Sequence, residues 1–183
     1  MGSVELLDER RSVVVVIDLQ GKLMDMAYRS RLVIEATKRL MRLADVFDVP
    51  VVLTEQYPKG LGETVPEVKQ LLNDEPVEKL CFSCMGEEGF RKKMGTLGKK
   101  HVILCGIEAH VCVFQTSLDL RDDGQTVHVV VDAISSRKKT DKVTAIRRMV
   151  QEGVIPETTE MLLFQLLKKA GTQEFKKISK IIK

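Results

Sequence analysis

Cys112 is the residue of this sequence whose position best suits chemistry. It follows the apolar run 101–106, which is typical of a buried strand, and lies in the first turn of a helix predicted over 109–123. The free N–H groups and partial positive charge of a helix start favour a thiolate over a thiol, and they can also hold an oxyanion. The pattern predicts a nucleophile with a depressed pKa, although the local sequence alone also allows a buried, inert cysteine.

Two charged residues could activate such a thiol. Asp18 ends the β-branched run 12–18, and Lys79 lies in a short strand predicted over 77–80. An ammonium group nearby lowers a thiol pKa, and a carboxylate can take the thiol proton as a general base. Taken alone, Asp18 could equally cap a strand end and Lys79 could be a solvated lysine, so the hypothesis requires that both meet Cys112.

Alternating strand and helix patterns are expected to position these residues. Strands are predicted at 12–18, 51–54, 77–80, 101–106, 127–132 and 154–155. Helices are predicted at 31–47, from 64, at 87–97, at 109–123, from a Thr140 cap to near 153, and once or twice before the C-terminus, with a loop at 55–62.

This alternation predicts an α/β fold, with a mostly parallel sheet covered by helices on both faces in three layers. In such sheets ligands bind beyond the carboxyl ends of the strands. Asp18, Lys79, Cys112 and Asp132 all fall at or just after predicted strand ends. We therefore expect them to converge although they are far apart in the sequence.

Composition limits the classes of function. The 183 residues, 44% hydrophobic and 30% charged, predict one globular domain over 1–183. The net charge is +3, and a basic C-terminal end could touch nucleic acid, although a solvated helix face is the simpler interpretation. The lysines of that end are Lys168, Lys169, Lys176, Lys177, Lys180 and Lys183.

The sequence also predicts a location. It has no stretch typical of a signal or transit peptide and no apolar run long enough to span a membrane, so we expect a cytoplasmic protein, with organelle association left open. Four cysteines without an export signal are expected to stay reduced.

Two further cysteine patterns carry weaker hypotheses. Cys81 and Cys84 match a CxxC motif, but no second CxxC accompanies them, so incidental packing is expected. His110 lies only two residues from Cys112, and residues two apart on a helix point to different sides, which argues against a Cys-His dyad.

Combined motifs along nearly the whole chain resemble the isochorismatase-like cysteine hydrolase family, and more closely the eukaryotic isochorismatase domain-containing proteins. The segments that carry the resemblance are VVVVIDLQGKL (13–23), VPVVLTEQYPKGLG (49–62), EKLCFSC (78–84), LCGIEAHVCV (104–113), LDLRDDGQTVHVVVDAISSR (118–137) and TTEMLLFQLL (158–167). Each is weak alone, but their combination and order are specific.

The resemblance implies an Asp-Lys-Cys triad, which falls on Asp18, Lys79 and Cys112. It also implies a six-stranded parallel sheet, a cis peptide bond between Ile107 and Glu108, and an oxyanion hole built from the backbone N–H groups of Val111 and Cys112. By loop position, the candidates for lining the substrate pocket are Gln20, Tyr57, Phe82 and Glu108.

The loop after the second strand distinguishes branches of this family. Nicotinamidase-like members bind a metal there through an Asp and two histidines, whereas this sequence reads Glu55-Gln56-Tyr57-Pro58 and has only three histidines, none at metal-ligand spacing. We expect no metal and no cofactor, and we doubt nicotinamide as a substrate. Isochorismate is also an unsuitable candidate, because the ether-cleaving branch generally replaces the cysteine.

Two functional hypotheses follow. The first is a hydrolase of a small amide or related acyl compound that works through a thioester-type intermediate on Cys112. The second is a non-catalytic or RNA-directed protein that uses its basic surface. In either case the resemblance implies a homo-oligomer, at least a dimer, and no membrane association is expected.

Overall fold

Six parallel strands of the described part of the chain form one central sheet in the order β3-β2-β1-β4-β5-β6. The computed structural model of the protein describes residues 6–72 and 74–178, so Lys180 and Lys183 of the basic end lie outside the described residues. The strands are β1 Ser12–Ile17, β2 Val51–Gln56, β3 Val77–Lys79, β4 His101–Ile107, β5 Thr126–Ser135 and β6 Ile155–Glu157. The predicted α/β fold with a six-stranded parallel sheet is confirmed.

Helices flank this sheet on both faces. Within the described residues they are α1 Gly21–Met26, α2 Ser30–Val46, α3 Pro58–Leu61, α4 Pro66–Lys69, α5 Glu88–Leu97, α6 Phe114–Asp122, α7 Lys139–Gln151, α8 Thr159–Leu167 and α9 Gln173–Ile178. Short 3₁₀ turns occur at Glu9–Arg11 and Cys84–Gly86, and a π-helical turn, Ala109–Val113, precedes α6. None of the described helices is both long and apolar enough to cross a lipid bilayer.

The central strand β1 shows how the sheet is held between two cores. Val14 and Val16 pack in one core with α2 and α8, whereas Val13, Val15 and Ile17 pack in the other with α5, α6 and α7. All six residues of β1 are buried. A strand that is apolar on both faces suits the middle of a parallel sheet, and β1 lies there between β2 and β4.

Strands β2 and β5 extend well past their predicted ends. β2 continues to Gln56, because its end pairs with β3 and sets Gln56 opposite Lys79. β5 continues past Asp132 to Ser135, which pairs with Ile107 after a shift in register. Asp132 therefore lies inside a strand, where its Oδ1 accepts the N–H of Thr159 at 2.9 Å, and its predicted place at a strand end is wrong.

Other local predictions also need correction. The short helix α1 was not predicted, and the predicted loop 55–62 contains the end of β2 and the helix α3. The predicted cap at Thr140 is wrong, since α7 begins at Lys139 after Lys138, whose side chain makes no capping hydrogen bond. These elements are short or lack a capping side chain, so they leave little local signal in the sequence.

Gly106 fixes the close approach of β4 to β1 just before the turn that carries Cys112. Its φ of +111° lies in a region that residues with a side chain rarely adopt, and a Cβ atom there would lie 2.0 Å from the carbonyl oxygen of Ile17. Both the backbone conformation and the space require glycine. Gly106 therefore allows β4, which precedes Cys112, to lie against β1, which precedes Asp18.

We predict that Gly106→Ala lowers the free energy of unfolding by about 3 kcal/mol or more, because it adds backbone strain and a clash with the main chain. Gly95→Ala is the matched control, since Gly95 lies in α5 with nothing within 4 Å of an added Cβ. This control should gain about 0.5–1 kcal/mol from helix propensity. Denaturant titration measures both changes, and a Gly106→Ala protein as stable as the wild type would contradict this account.

Candidate active site

Asp18 is held at the carboxyl end of β1 by its backbone and by one side-chain oxygen. Its φ is +52°, and its N–H donates to the carbonyl oxygen of Thr54 at 3.2 Å. The Thr54 hydroxyl donates to Asp18 Oδ1 at 2.8 Å. The carboxylate is fully buried, and these contacts leave Oδ2 to face the adjacent strand ends.

Lys79 brings a buried ammonium group to that carboxylate from β3. Its Nζ lies 2.7 Å from Asp18 Oδ2, and neither side chain is exposed. Nζ also donates to Gln56 Oε1 at 2.6 Å and to the carbonyl oxygens of Cys81 and Phe82 at 3.3 Å. Burial by itself would lower the pKa of Lys79, but the facing Asp18 carboxylate and the nearby thiols raise it above its usual value. Lys79 is therefore a cation at neutral pH.

Cys112 joins this pair from the π-helical turn that follows β4. The turn begins after the Ile107–Glu108 peptide bond, which is cis, and the cysteine side chain is almost completely buried. Cys112 Sγ lies 4.0 Å from Gln56 Oε1, and the thiol also interacts with the Asp18 carboxylate. The structure thus brings the side chains of Asp18, Lys79 and Cys112 to one place, and their catalytic roles stay a prediction.

The resting state of this thiol differs from the prediction. Burial raises the pKa of Cys112 to about 12, and the negative charge of Asp18 together with its hydrogen bond to the thiol acts in the same direction. Lys79 lowers the pKa of the thiol, but by less. The predicted depressed pKa is therefore wrong, because the sequence pattern does not reveal how deeply the thiol is buried beside a carboxylate. At neutral pH Cys112 is a protonated thiol.

The N–H groups of the nucleophile turn are partly engaged. Val111 N–H and Val113 N–H donate to the carbonyl oxygen of Glu108 at 3.1 and 3.2 Å. An oxyanion bound at Val111 would have to share that donor with Glu108. The assignment of Val111 and Cys112 to an oxyanion hole stays a prediction.

Gln56 is a site residue that the sequence reasoning missed. Its Oε1 accepts from Lys79 and faces Cys112, while its Nε2 donates to the carbonyl oxygen of Leu80 at 2.8 Å. Gln20 fixes the backbone on which it stands, since Gln20 Oε1 accepts Gln56 N–H at 2.7 Å and Gln20 Nε2 donates to Gln56 O at 2.9 Å. No pattern in the sequence indicates this role, because it depends on the pairing of Gln56 with Lys79 across β2 and β3.

The predicted pocket residues have different surroundings. Tyr57 and Phe82 are exposed by 51% and 56% respectively, so both side chains are available at the surface. Gln20 is fully buried, and its side chain is bonded to the backbone of Gln56 at the end of β2. Glu108 is 9% exposed, and its Oε1 lies 2.8 Å from Arg137 Nε.

The other sequence candidates lie outside this arrangement. His110 Nδ1 is 2.9 Å from the Ser136 hydroxyl and 3.4 Å from Glu108 Oε2, so its ring is engaged away from Asp18. Cys84 is a second buried thiol near the triad, 4.0 Å from the Thr54 hydroxyl, and burial raises its pKa to about 11. Cys81 is exposed, and both cysteines of the CxxC motif are free thiols.

No metal-binding cluster of three His, Cys, Asp or Glu side chains occurs among residues 6–72 and 74–178. Glu55, near the end of β2, uses its Oε1 to accept from the N–H and the hydroxyl of Thr64, both at 2.7 Å. That carboxylate thus has a structural role in joining β2 to the start of α4.

Comparisons with known proteins point to one family. The family model for the isochorismatase domain matches residues 12–161. The human protein named isochorismatase domain-containing protein 2 is 43% identical over 177 residues, which cover 94% of this chain and 83% of the human protein.

Solved structures agree with the sequence comparisons. The structure of MAR1 ribonuclease from Caenorhabditis elegans superposes with a TM-score of 0.90 at 39% identity and covers 97% of this chain and 92% of its own. The YcaC gene product of Escherichia coli, described as an octameric hydrolase of unknown specificity, superposes with a TM-score of 0.87 at 26% identity, over 92% of this chain and 85% of its own.

We predict that Asp18→Asn speeds the alkylation of Cys112 at pH 8 by tenfold or more, because it removes the negative charge that raises the thiol pKa and leaves Lys79 unopposed. Iodoacetamide labelling read by peptide mass spectrometry measures the rate, in a Cys81→Ser background that removes the exposed thiol. Asp119→Asn is the matched control, since Asp119 binds the Ser83 hydroxyl and not the triad. Rapid labelling of wild-type Cys112 at pH 6 would contradict the high pKa.

Proposed function

Because the chain belongs to the isochorismatase family, whose members share a hydrolase fold, we propose that it hydrolyses a small amide or related acyl compound through Cys112. The observation that carries this proposal is the fully buried Asp18–Lys79 ion pair together with the Cys112 thiol, which lies 4.0 Å from Gln56 Oε1, the atom that accepts from Lys79. A nucleophile, a base and a cation within reach of one another are the parts that acyl transfer requires.

Attack begins from a neutral thiol. Since the pKa of Cys112 is about 12, little thiolate exists at neutral pH, and the proton must leave as the sulfur–carbon bond forms. Asp18 accepts that proton as general base, and Lys79 compensates the negative charge that develops on sulfur. The ammonium keeps its own proton throughout, which fits the raised pKa of Lys79.

Attack turns the carbonyl oxygen of the substrate into an oxyanion. The proposed donors to this oxyanion are Cys112 N–H and Val111 N–H, and Val111 N–H also donates to the carbonyl oxygen of Glu108. The tetrahedral intermediate collapses to a thioester as the carbon–nitrogen bond breaks, and protonated Asp18 gives its proton to the leaving amine. Asp18 next takes a proton from water, which attacks the thioester. As the carbon–sulfur bond breaks, Asp18 returns that proton to the sulfur, so that a carboxylic acid leaves and the Cys112 thiol and the Asp18 carboxylate are restored.

Access to the thiol favours a small substrate. Cys112 is only 7% exposed, whereas Tyr57, Leu80 and Phe82 near the strand ends expose large apolar surfaces. Tyr57 and Leu80 line one cavity together with Lys79, so a short acyl group that enters beside the triad would meet this apolar surface. We therefore include Tyr57 and Phe82, together with Glu108 beside the nucleophile turn, in the proposed pocket.

The same apolar surfaces fit the proposal of a homo-oligomer. Leu80 is 72% exposed, and exposed apolar side chains that are clustered often mark protein interfaces. The E. coli structure at 26% identity is described as an octamer, which supports assembly of this chain without fixing its number of subunits. A single domain over 1–183 and a cytoplasmic location stay predictions.

RNA is a second candidate substrate, because the C. elegans structure at 39% identity is named a ribonuclease. A phosphodiester would need the same Cys112-centred chemistry or a separate site. Cleavage of RNA by the wild type but not by Cys112→Ala would assign this activity to the triad, and equal cleavage by both would assign it to a separate site. No cleavage by the wild type would remove RNA as a candidate.

We predict that Cys112→Ala abolishes hydrolysis, with kcat/KM reduced at least 10³-fold, because the thioester cannot form. Cys84→Ala is the control, since Cys84 is the other buried thiol near Asp18 and has no role in the mechanism. Ammonia release from a panel of small primary amides measures the activity. A Cys112→Ala enzyme that retained activity on any substrate of the wild type would refute the mechanism.

We also predict that Gln56→Leu lowers kcat about 10- to 100-fold with a smaller change in KM, because Lys79 loses its 2.6 Å acceptor and shifts relative to the sulfur. Gln70→Leu, at the exposed end of α4, should behave as the wild type. Steady-state kinetics on the same amide separates the two constants, and an unchanged kcat would show that Gln56 does not position Lys79.

A further inference from the structure

A second cavity, separate from the triad, lies between α2 and α7. It has a volume of about 390 Å³, and neither Asp18, Lys79 nor Cys112 lines it. Ligand pockets typically measure about 300–1,000 Å³, so this groove is large enough for a small organic molecule. Nothing in the proposed hydrolysis uses it.

Positive charge dominates the lining of this groove. Arg29 and Arg39 contribute from the α2 side, and Lys139 and Lys142 contribute from α7. Asp132 is the one acidic side chain among the lining residues. Within residues 6–72 and 74–178, none of the four cations forms an ion pair within 4.0 Å, unlike Arg31 and Lys38 on the same helix α2, which both pair with Glu35.

The pKa of Lys142 shows that this arrangement of cations is electrostatically unfavourable. Burial lowers its pKa, Asp132 partly restores it, and the positive charge of Arg29 lowers it further. Like charges gathered around a concave surface repel one another unless an anion from outside compensates them. The positive charge of this cluster is therefore not fully compensated by negative charge in the free protein.

The base of the groove is apolar. Val33 and Ala36 are buried there, and Leu32 is 57% exposed although it faces the same cavity. Tyr28 adds an aromatic ring, over which the Arg29 guanidinium lies at 5.3 Å from the ring centroid. A ligand that fits must therefore combine negative charge with an apolar or ring-shaped body.

The cations are distributed along the groove. Arg29 and Arg39 are ten residues apart in the sequence, which corresponds to about 15 Å along α2. Guanidinium and ammonium groups on both walls suit phosphate, whose oxygens can accept from several donors at once. That length and volume match a molecule of mononucleotide size.

We propose that this groove binds a small phosphorylated molecule, with its phosphate held by basic residues drawn from Arg29, Arg39, Lys139 and Lys142 and its apolar part resting on Leu32 and Ala36. The site is independent of the hydrolase mechanism, because none of its residues belongs to the triad. Occupation would compensate the repulsion among the four cations.

Isothermal titration calorimetry with adenosine 5′-monophosphate tests the proposal directly. We expect saturable binding with a Kd below about 1 mM, and binding of uncharged adenosine at least tenfold weaker. The double variant Arg39→Ala/Lys139→Ala removes two exposed cations, one from each wall, and should weaken binding of the monophosphate at least tenfold. The matched control Lys92→Ala/Arg147→Ala removes two exposed cations that do not line the groove and should leave the Kd unchanged.

Three outcomes with the wild type and the double variant would overturn this assignment. They are no saturable binding of adenosine 5′-monophosphate up to about 10 mM, equal Kd values for the double variant and the wild type, or groove-dependent binding of a single-stranded oligonucleotide without binding of the mononucleotide. Cys112→Ala should bind adenosine 5′-monophosphate as the wild type does. Loss of binding in that variant would place the ligand in the active site and not in the groove.

Discussion

The ion pair between Asp18 and Lys79 is the interaction on which the architecture of the site depends. Each charge is fully buried, and the two groups lie 2.7 Å apart. Removal of a charged group from water costs several kcal/mol per ion unless hydrogen bonds satisfy it. Here Thr54 donates to the carboxylate, and Gln56 with two backbone carbonyls accepts from the ammonium. The ends of β1, β2 and β3 must therefore stay in register for the pair to exist.

The same pair sets the state of the nucleophile. A lone carboxylate beside Cys112 would make the thiolate very unfavourable, and a lone ammonium would stabilise it. Together with burial they leave a thiol whose pKa is about 12 and a base in contact with it. Such a cysteine resists alkylation and oxidation in the absence of substrate, because both reactions require the thiolate. Reactivity then depends on a substrate that draws the proton to Asp18.

Much of this arrangement could be predicted from the sequence, because it follows from strand ends. Asp18 and Cys112 each follow a strongly apolar run, Lys79 ends a short strand, and parallel strands place such ends at one edge of the sheet. The same reasoning gives a wrong prediction for Asp132, because β5 continues beyond this residue to pair with the end of β4. A charged residue marks the end of a strand only where pairing also stops.

What could not be predicted depends on three-dimensional packing. The direction of the Cys112 pKa shift follows from burial and from the carboxylate, and neither is visible in a local motif. Gln56 lies in a strand, where a polar residue carries no periodic signal for its contact with Lys79. Gly106 is needed because of a carbonyl oxygen on the neighbouring strand, so only the assembled sheet reveals why no other residue fits.

A double-mutant cycle on the ion pair tests the central claim most directly. The free energy of unfolding is measured for the wild type, Asp18→Asn, Lys79→Met and the double variant. The account predicts that each single change costs about 3–5 kcal/mol, because it leaves one buried charge unpaired, and that the double variant loses much less than their sum. Additive losses, with a coupling energy near zero, would show that the two charges do not depend on each other and would contradict the account.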